Sequence, residues 1–151
     1  MFRSRLNEAL KEAMRSKNQR AVSTLRLILA ALKDRDIAAR GRGVTDGIDE
    51  DEILSMLQTM IKQRRDAIAL YEQGGRLELA EQEREEIGII ETFLPKQFSE
   101  DEIRGVVAAV IKDIGATGIK DMGRTMAELR TRYAGQMDFG KASGFVKAAL
   151  V

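Results

Sequence analysis

The stretch Glu91-Thr-Phe-Leu-Pro-Lys-Gln-Phe-Ser-Glu-Asp-Glu102 contains the only proline of the chain, Pro95, between two segments of helical periodicity. Proline has no backbone N–H and disfavours helix in the residue before it, so the preceding helix is predicted to end near Leu94. Ser99 and Glu102 have the spacing of a capping box, which predicts that a new helix begins there. The stretch therefore predicts a boundary between two helical domains.

Apolar residues recur every three to four positions on both sides of this boundary, as in amphipathic helices. No stretch of five or more residues alternates with the period of two that is typical of strands. The predicted fold class is all-α, with an amino-terminal bundle of about four helices in residues 1–95. Residues 96–151 are predicted to form a small carboxy-terminal domain of three helices, in which Asp121 and Asp138 are suited to cap the second and third helices.

The composition of the 151 residues restricts the chemistry, since the chain contains no Cys and no His. A Cys–His pair or a Ser–His–Asp triad is therefore impossible. A Ser–Lys pair is formally available, but Ser23, Ser99 and Ser143 each have a structural interpretation, so we predict no catalytic residue, no metal and no cofactor. No apolar run approaches the roughly 20 residues of a membrane span, and the first residues lack the apolar core of a signal peptide. We expect a cytoplasmic protein with no membrane partner.

Three polar segments have both a functional and a structural interpretation. Gly41-Arg-Gly43 is favoured as a connector over a phosphate cradle, because no strand–loop–helix unit surrounds it. The carboxylates of Asp49–Glu52 fan out about 100° apart on a helix, so capping is favoured over metal binding. The basic run Lys62–Arg65 is favoured as a solvated face over a phosphate contact. The acidic segment Glu81–Glu86 is expected to be exposed.

The net charge of +1 is distributed unevenly along the chain. Residues 1–42 contain eleven Lys or Arg against four Asp or Glu, residues 43–98 contain six against thirteen, and residues 99–151 contain eight against seven. An electropositive face for an acidic partner such as RNA is one interpretation. Basic and acidic helices that pack side by side are the other, which we favour.

The segment Gly118–Met126 is the most informative for function. Lys120 and Arg124 lie four residues apart, so on a helix their like charges project from one face. One hypothesis is that this face is presented to an anion. The alternative, which weighs about equally, is that Asp121 and Glu128 balance the two cations.

Several spaced motifs resemble those of the GatB/YqeY family over essentially the whole chain: Ser23–Leu27, Ile61–Ala67, Phe93–Gln97, Ser99–Ile103, Lys120–Met126, Gly135–Lys141 and Val146-Lys147. Phe93 stands where the family pattern has Tyr, and Phe139 replaces a small residue. The resemblance implies an all-helical protein whose last domain is similar to the tail of the GatB subunit of the glutamine-dependent tRNA amidotransferase. That tail grips tRNA, while the amidation chemistry takes place elsewhere in the enzyme.

The resemblance implies a non-catalytic tRNA-binding or translation-accessory protein, although the family label names a carbon–nitrogen ligase with glutamine as amido-N-donor. The positions carried over as RNA-binding candidates are the phosphate-suited Lys120, Arg124, Lys141 and Lys147, and the glycines Gly118 and Gly123, which permit close backbone approach. One alternative is an adaptor that docks onto an amidotransferase or an aminoacyl-tRNA synthetase. A weaker alternative is direct participation in amide transfer.

Overall fold

A computed structural model describes all 151 residues, and it confirms the all-α prediction. Seven α-helices and one short 3-10 turn are present, without any strand. None of these helices combines the length and the apolarity needed to cross a membrane. The helices are α1 (Phe2–Arg15), α2 (Gln19–Arg40), α3 (Glu50–Gln73), α4 (Leu77–Glu91), α5 (Glu100–Ile114), α6 (Met122–Arg132) and α7 (Phe139–Leu150), and the 3-10 turn Ile119–Asp121 precedes α6.

The chain divides into two compact units, Met1–Leu94 and Pro95–Val151. The first unit contains α1 to α4 around a core to which α1, α2, the first half of α3 and the end of α4 contribute. Asn18 caps α2 by accepting the N–H of Ala21, and α2 packs against α1. Asp49 accepts the N–H of Glu52 at 2.9 Å, which confirms that this acidic run caps a helix.

The second half of α3 and the first half of α4 form a helical hairpin that turns at Gly74-Gly75. Glu86 on α4 is buried, so the prediction that the whole acidic segment is exposed is wrong for this residue. Arg64 on α3 explains the burial, because its Nε donates to Glu86 at 3.0 Å and supplies a compensating charge. This contact also largely buries Arg64, so the interpretation of the basic run Lys62–Arg65 as a solvated face is wrong for Arg64.

The second unit packs α5, α6 and α7 around a separate core of buried aliphatic and methionine side chains. The predicted capping box is present: Ser99 Oγ accepts the N–H of Glu102 at 3.2 Å, and Glu102 accepts the N–H of Ser99 at 3.1 Å. Asp138 caps α7 as predicted. Asp121 does not cap α6; its carboxylate instead accepts a hydrogen bond from a residue that precedes it.

α5 and α7 lie side by side and run in the same direction. Lys141 Nζ at the start of α7 lies 3.2 Å from the carboxylate of Glu100 at the start of α5. One turn further along both helices, the Arg104 guanidinium lies 4.6 Å from the ring centroid of Phe145. Because both contacts join residues 41 positions apart, the carboxyl ends of α5 and α7 point toward the same end of the unit.

Candidate nucleic-acid interface

Lys120 is exposed in the 3-10 turn and takes part in no ion pair. Gly118, which precedes the turn, has extended backbone with φ of −162°, a conformation that any residue adopts. A Cβ atom added there would meet no atom within 4 Å. Neither conformation nor packing within the chain therefore requires glycine beside Lys120.

Arg124 is held by partners within its own unit. Its Nη1 donates to the carbonyl of Ile114 at 2.7 Å, and its Nη2 lies 3.2 Å from Asp121 Oδ1. Ile114 is the last residue of α5, where helical carbonyls lack intrahelical partners. Arg124 thus joins the end of α5 to the start of α6, although 53% of its side chain remains exposed.

The carboxylate of Asp121 is fixed between two donors. Its Oδ2 accepts the backbone N–H of Thr117 at 2.9 Å, and this bond, followed by the Arg124 guanidinium, lowers its pKa. Glu128, the other carboxylate expected to balance the site, pairs with Arg132 at 2.7 Å instead of Arg124. The charge of Lys120 is therefore left without a carboxylate partner.

The two remaining cations lie at opposite ends of α7. Lys141 is in the first turn and pairs with Glu100. Lys147 is in the last turn, is exposed and has no ion-pair partner. Because α5 and α7 run parallel, Lys147 lies toward the end of the unit where α5 finishes. At that end Arg124, four residues after Lys120, connects the last residue of α5 to α6.

Sequence reasoning missed Lys112, which is exposed in the last turn of α5 and also lacks an ion pair. We call Lys112, Lys120 and Lys147 the free-lysine group. All seven acidic side chains in residues 99–151 are engaged elsewhere: in ion pairs at Glu100, Asp101, Glu102, Asp113, Asp121 and Glu128, and in a helix cap at Asp138. The available signal was that none of the three lysines has an Asp or Glu three or four residues away.

Gly123 is exposed in the first turn of α6, and a Cβ atom there would meet no atom within 4 Å. Glycine inside a helix costs about 1 kcal/mol relative to alanine, so its presence is not explained by packing within this unit. The close backbone approach expected at Gly118 and Gly123 stays a prediction. The open space at both positions is compatible with it.

The aromatic rings of this unit are largely engaged with one another or with arginines. Phe98 and Tyr133 make an edge-on contact with centroids 5.5 Å apart, and Arg130 lies 5.7 Å from the centroid of Phe139. Arg104 covers Phe145 in the same way. No group of three or more carboxylates in the chain is arranged to hold a metal ion. This surface is therefore equipped for phosphate contacts more than for base stacking.

Residues 3–150 match the sequence profile of the family described as Yqey-like protein. Two similar curated proteins are each named "Altered inheritance of mitochondria protein 41, mitochondrial". The protein from Lachancea thermotolerans is 26% identical over 148 residues, which cover 97% of this chain and 77% of the relative. The protein from Kluyveromyces lactis is 30% identical over 112 residues, covering 72% of this chain and 58% of the relative.

An uncharacterized protein of Schizosaccharomyces pombe is 30% identical over 94 residues, or 62% of this chain and 72% of the relative.

The expectation of a cytoplasmic address is wrong by the comparison with the two protein 41 relatives, because both are named as mitochondrial. That expectation relied on the lack of apolar export and membrane segments. Mitochondrial transit peptides are amphipathic, so such a lack does not separate the two compartments. The match over residues 3–150 shows that this chain belongs to the YqeY-like protein family.

Proposed function

We propose that this protein is a non-catalytic tRNA-binding, translation-accessory protein related to glutamine-dependent tRNA amidation. In this proposal residues 1–95 and 96–151 are separate domains, a four-helix bundle and a three-helix tail, and the tail contacts the tRNA. The observation that carries the proposal is the free-lysine group: three exposed lysines remain without an ion pair, because every acidic side chain of residues 99–151 is engaged elsewhere.

Unpaired lysines favour a polyanionic ligand, because they meet its phosphates without first breaking an internal ion pair. Each phosphate contact releases condensed counterions, so the logarithm of affinity falls with the logarithm of salt concentration by about 0.7 to 0.9 per contact. Such contacts carry no base information. We therefore propose recognition of folded tRNA by shape and charge and not by sequence.

The residue composition and the contacts of Asp121 argue against amide transfer by this chain alone. It contains no Cys and no His, which are the usual glutaminase nucleophile and base. The carboxylate nearest to the proposed interface, Asp121, is occupied by the N–H of Thr117 and by Arg124. The ligase label of the family is best attributed to the multisubunit enzyme whose tail domain this chain resembles.

The test is binding of fluorescently labelled bulk tRNA to the full chain, followed by anisotropy between 50 and 200 mM salt. The Lys120→Gln/Lys147→Gln variant should weaken binding and flatten the log–log salt dependence by about 1.4 to 1.8, as expected for two lost phosphate contacts. Lys96→Gln/Arg104→Gln is the matched control, because it removes the same net charge from exposed cations of the same unit that are paired with Glu102 and Asp101. It should change the affinity less than twofold.

The experiment also separates the alternatives. Absence of tRNA binding at 50 mM salt would overturn the proposal. If an amidotransferase or aminoacyl-tRNA synthetase subunit then co-purified with the chain, the adaptor function would stand in its place. Glutamine-dependent amide transfer by the purified chain would contradict the non-catalytic assignment.

A further inference from the structure

Three cations form a straight row along α2. Arg26, Lys33 and Arg40 are seven residues apart, so they lie on one helical face at intervals of about 10.5 Å and span about 21 Å. All three side chains are exposed, and none takes part in an ion pair. We call these residues the α2 cation row.

The sequence around the row offers only one carboxylate within helical pairing distance. Asp36 lies three residues after Lys33 and four before Arg40, whereas Arg26 has no acidic residue three or four positions away. Asp34 follows Lys33 directly and therefore projects about 100° around the helix. On sequence alone, Asp36 should neutralise part of the row.

Arg3 on α1 prevents this neutralisation. Its Nη1 and Nη2 donate to the two carboxylate oxygens of Asp36 at 2.7 and 2.9 Å, and the N–H of Ile48 donates to Asp36 at 2.9 Å. A cavity of about 320 Å³ opens between α1 and α2 beside Lys33 and Arg40, and Asp36 is the only carboxylate in its lining. Asp36 thus forms no ion pair with the row, although its charge still acts on Arg40, and Lys33 and Arg40 lie beside open space.

We infer that the α2 cation row is a second RNA-contacting surface, which binds the phosphate backbone of the tRNA from the unit Met1–Leu94. The inference rests on the proposed function and adds a surface to it. Evenly spaced point charges over about 21 Å match a ligand whose own charge repeats along its length.

The test uses the full chain and the same tRNA titration. Arg26→Gln/Lys33→Gln/Arg40→Gln should reduce the affinity at 100 mM salt at least tenfold and flatten the salt dependence by about 2 to 3. Lys11→Gln/Arg15→Gln/Arg42→Gln is the matched control: it removes the same net charge from exposed cations that are paired with Glu8, Glu12 and Glu52. The control should flatten the salt dependence by less than 1.

The outcomes separate this inference from the proposed function. If the row variant and the control behave alike, the row is not a site and only net charge matters. If Lys120→Gln/Lys147→Gln weakens binding and the row variant does not, the inference fails and the proposed function stands. If the row variant weakens binding and Lys120→Gln/Lys147→Gln does not, the RNA contact lies on α2, and the assignment to the carboxy-terminal unit is overturned. If the unmodified chain binds no tRNA, both fail, and an acidic protein becomes the partner to seek.

Discussion

Arg3 and Asp36 form a two-pronged ion pair between residues 33 positions apart, joining the start of α1 to the end of α2. The same guanidinium donates to the carbonyl of Ile48 at 2.9 Å, and the same carboxylate accepts the N–H of Ile48. The pair therefore also fixes the loop that leads into α3. Only 39% of the arginine side chain and 20% of the aspartate side chain are exposed, so water screens the pair incompletely.

The Arg3–Asp36 pair should make stability depend on pH in the acid range. The arginine lowers the pKa of Asp36 from 3.8 to about 2. A carboxylate with a lowered pKa contributes stability that is complete above pH 4 and is lost as the pH falls toward 2. Between pH 6 and pH 2, the free energy of unfolding of the unmodified chain should fall by about 1 to 2 kcal/mol more than that of Asp36→Asn, as measured by urea unfolding. An equal fall in the unmodified chain and in Asp36→Asn would contradict the role of this pair.

The same pair should control the α2 cation row. Arg3→Gln releases Asp36 to pair with Lys33 or Arg40, so the salt dependence of tRNA binding should flatten by about 0.7 to 0.9, as expected for one lost phosphate contact. Adding Asp36→Asn to that variant should restore most of the original dependence, because no carboxylate then remains to quench the row. Failure of this rescue would show that Arg3 acts through folding and not through the charge of Asp36.

A second prediction on stability concerns the buried contact of the α3–α4 hairpin. The side chains of Arg64 and Glu86 are 13% and 9% exposed, and Glu83 lies 3.9 Å from the same guanidinium. Burial, followed by the charge of Glu86, raises the pKa of Glu83. Arg64→Met leaves two carboxylates without their cation and should destabilise the chain by about 3 kcal/mol. Glu86→Gln keeps Glu83 beside the cation and should cost less.

The double variant Arg64→Met/Glu86→Leu provides the control for this contact. Replacing Arg64 and Glu86 by apolar groups of similar volume should recover the part of the stability lost in Arg64→Met that is due to Glu86, while Glu83 stays without its cation, as seen by urea unfolding at pH 7. Destabilisation of the double variant by the full sum of its two single changes would mean that the residues do not interact.

Gly123 offers a test that moves stability and binding in opposite directions. Gly123→Ala introduces a Cβ atom into open space and should stabilise the chain by up to about 1 kcal/mol. If RNA backbone approaches this turn, the same methyl group should weaken tRNA binding severalfold. Gly105→Ala on α5 is the matched control, since its Cβ atom also meets nothing, and it should leave binding unchanged. Equal binding by both variants would remove Gly123 from the interface.

Sequence reasoning succeeded where the controlling interaction is local. The Ser99–Glu102 box and the Asp138 cap involve residues two or three positions apart, so spacing alone predicted them. Asp121 shows the limit of this reasoning, since it also precedes a helix. The adjoining turn brings the N–H of Thr117 and the Arg124 side chain to its carboxylate. Both oxygens of Asp121 accept hydrogen bonds from these two donors, so the carboxylate does not cap α6.

Long-range pairs account for most of what the sequence did not predict. Arg64 and Glu86 lie 22 positions apart, and the periodicity of α4 alone gave no reason to bury a glutamate. For the candidate interface, the sequence predicted that Lys120 and Arg124 share one helical face, whereas Lys120 lies in the 3-10 turn before α6. The hydrogen bond from Arg124 to the carbonyl of Ile114 could not be predicted, because it depends on the path of the chain after α5, which no local pattern specifies.

The parallel arrangement of α5 and α7 has a further electrostatic consequence. Aligned peptide dipoles give each helix a partial negative charge at its carboxyl end, and here two such ends point the same way, each with a lysine in its last turn. Lys112 and Lys147 therefore offset the helix macrodipoles while they remain available to phosphate. On the proposed function, acetylation of either lysine should weaken tRNA binding, and it should also remove a few tenths of a kcal/mol of helix stabilisation.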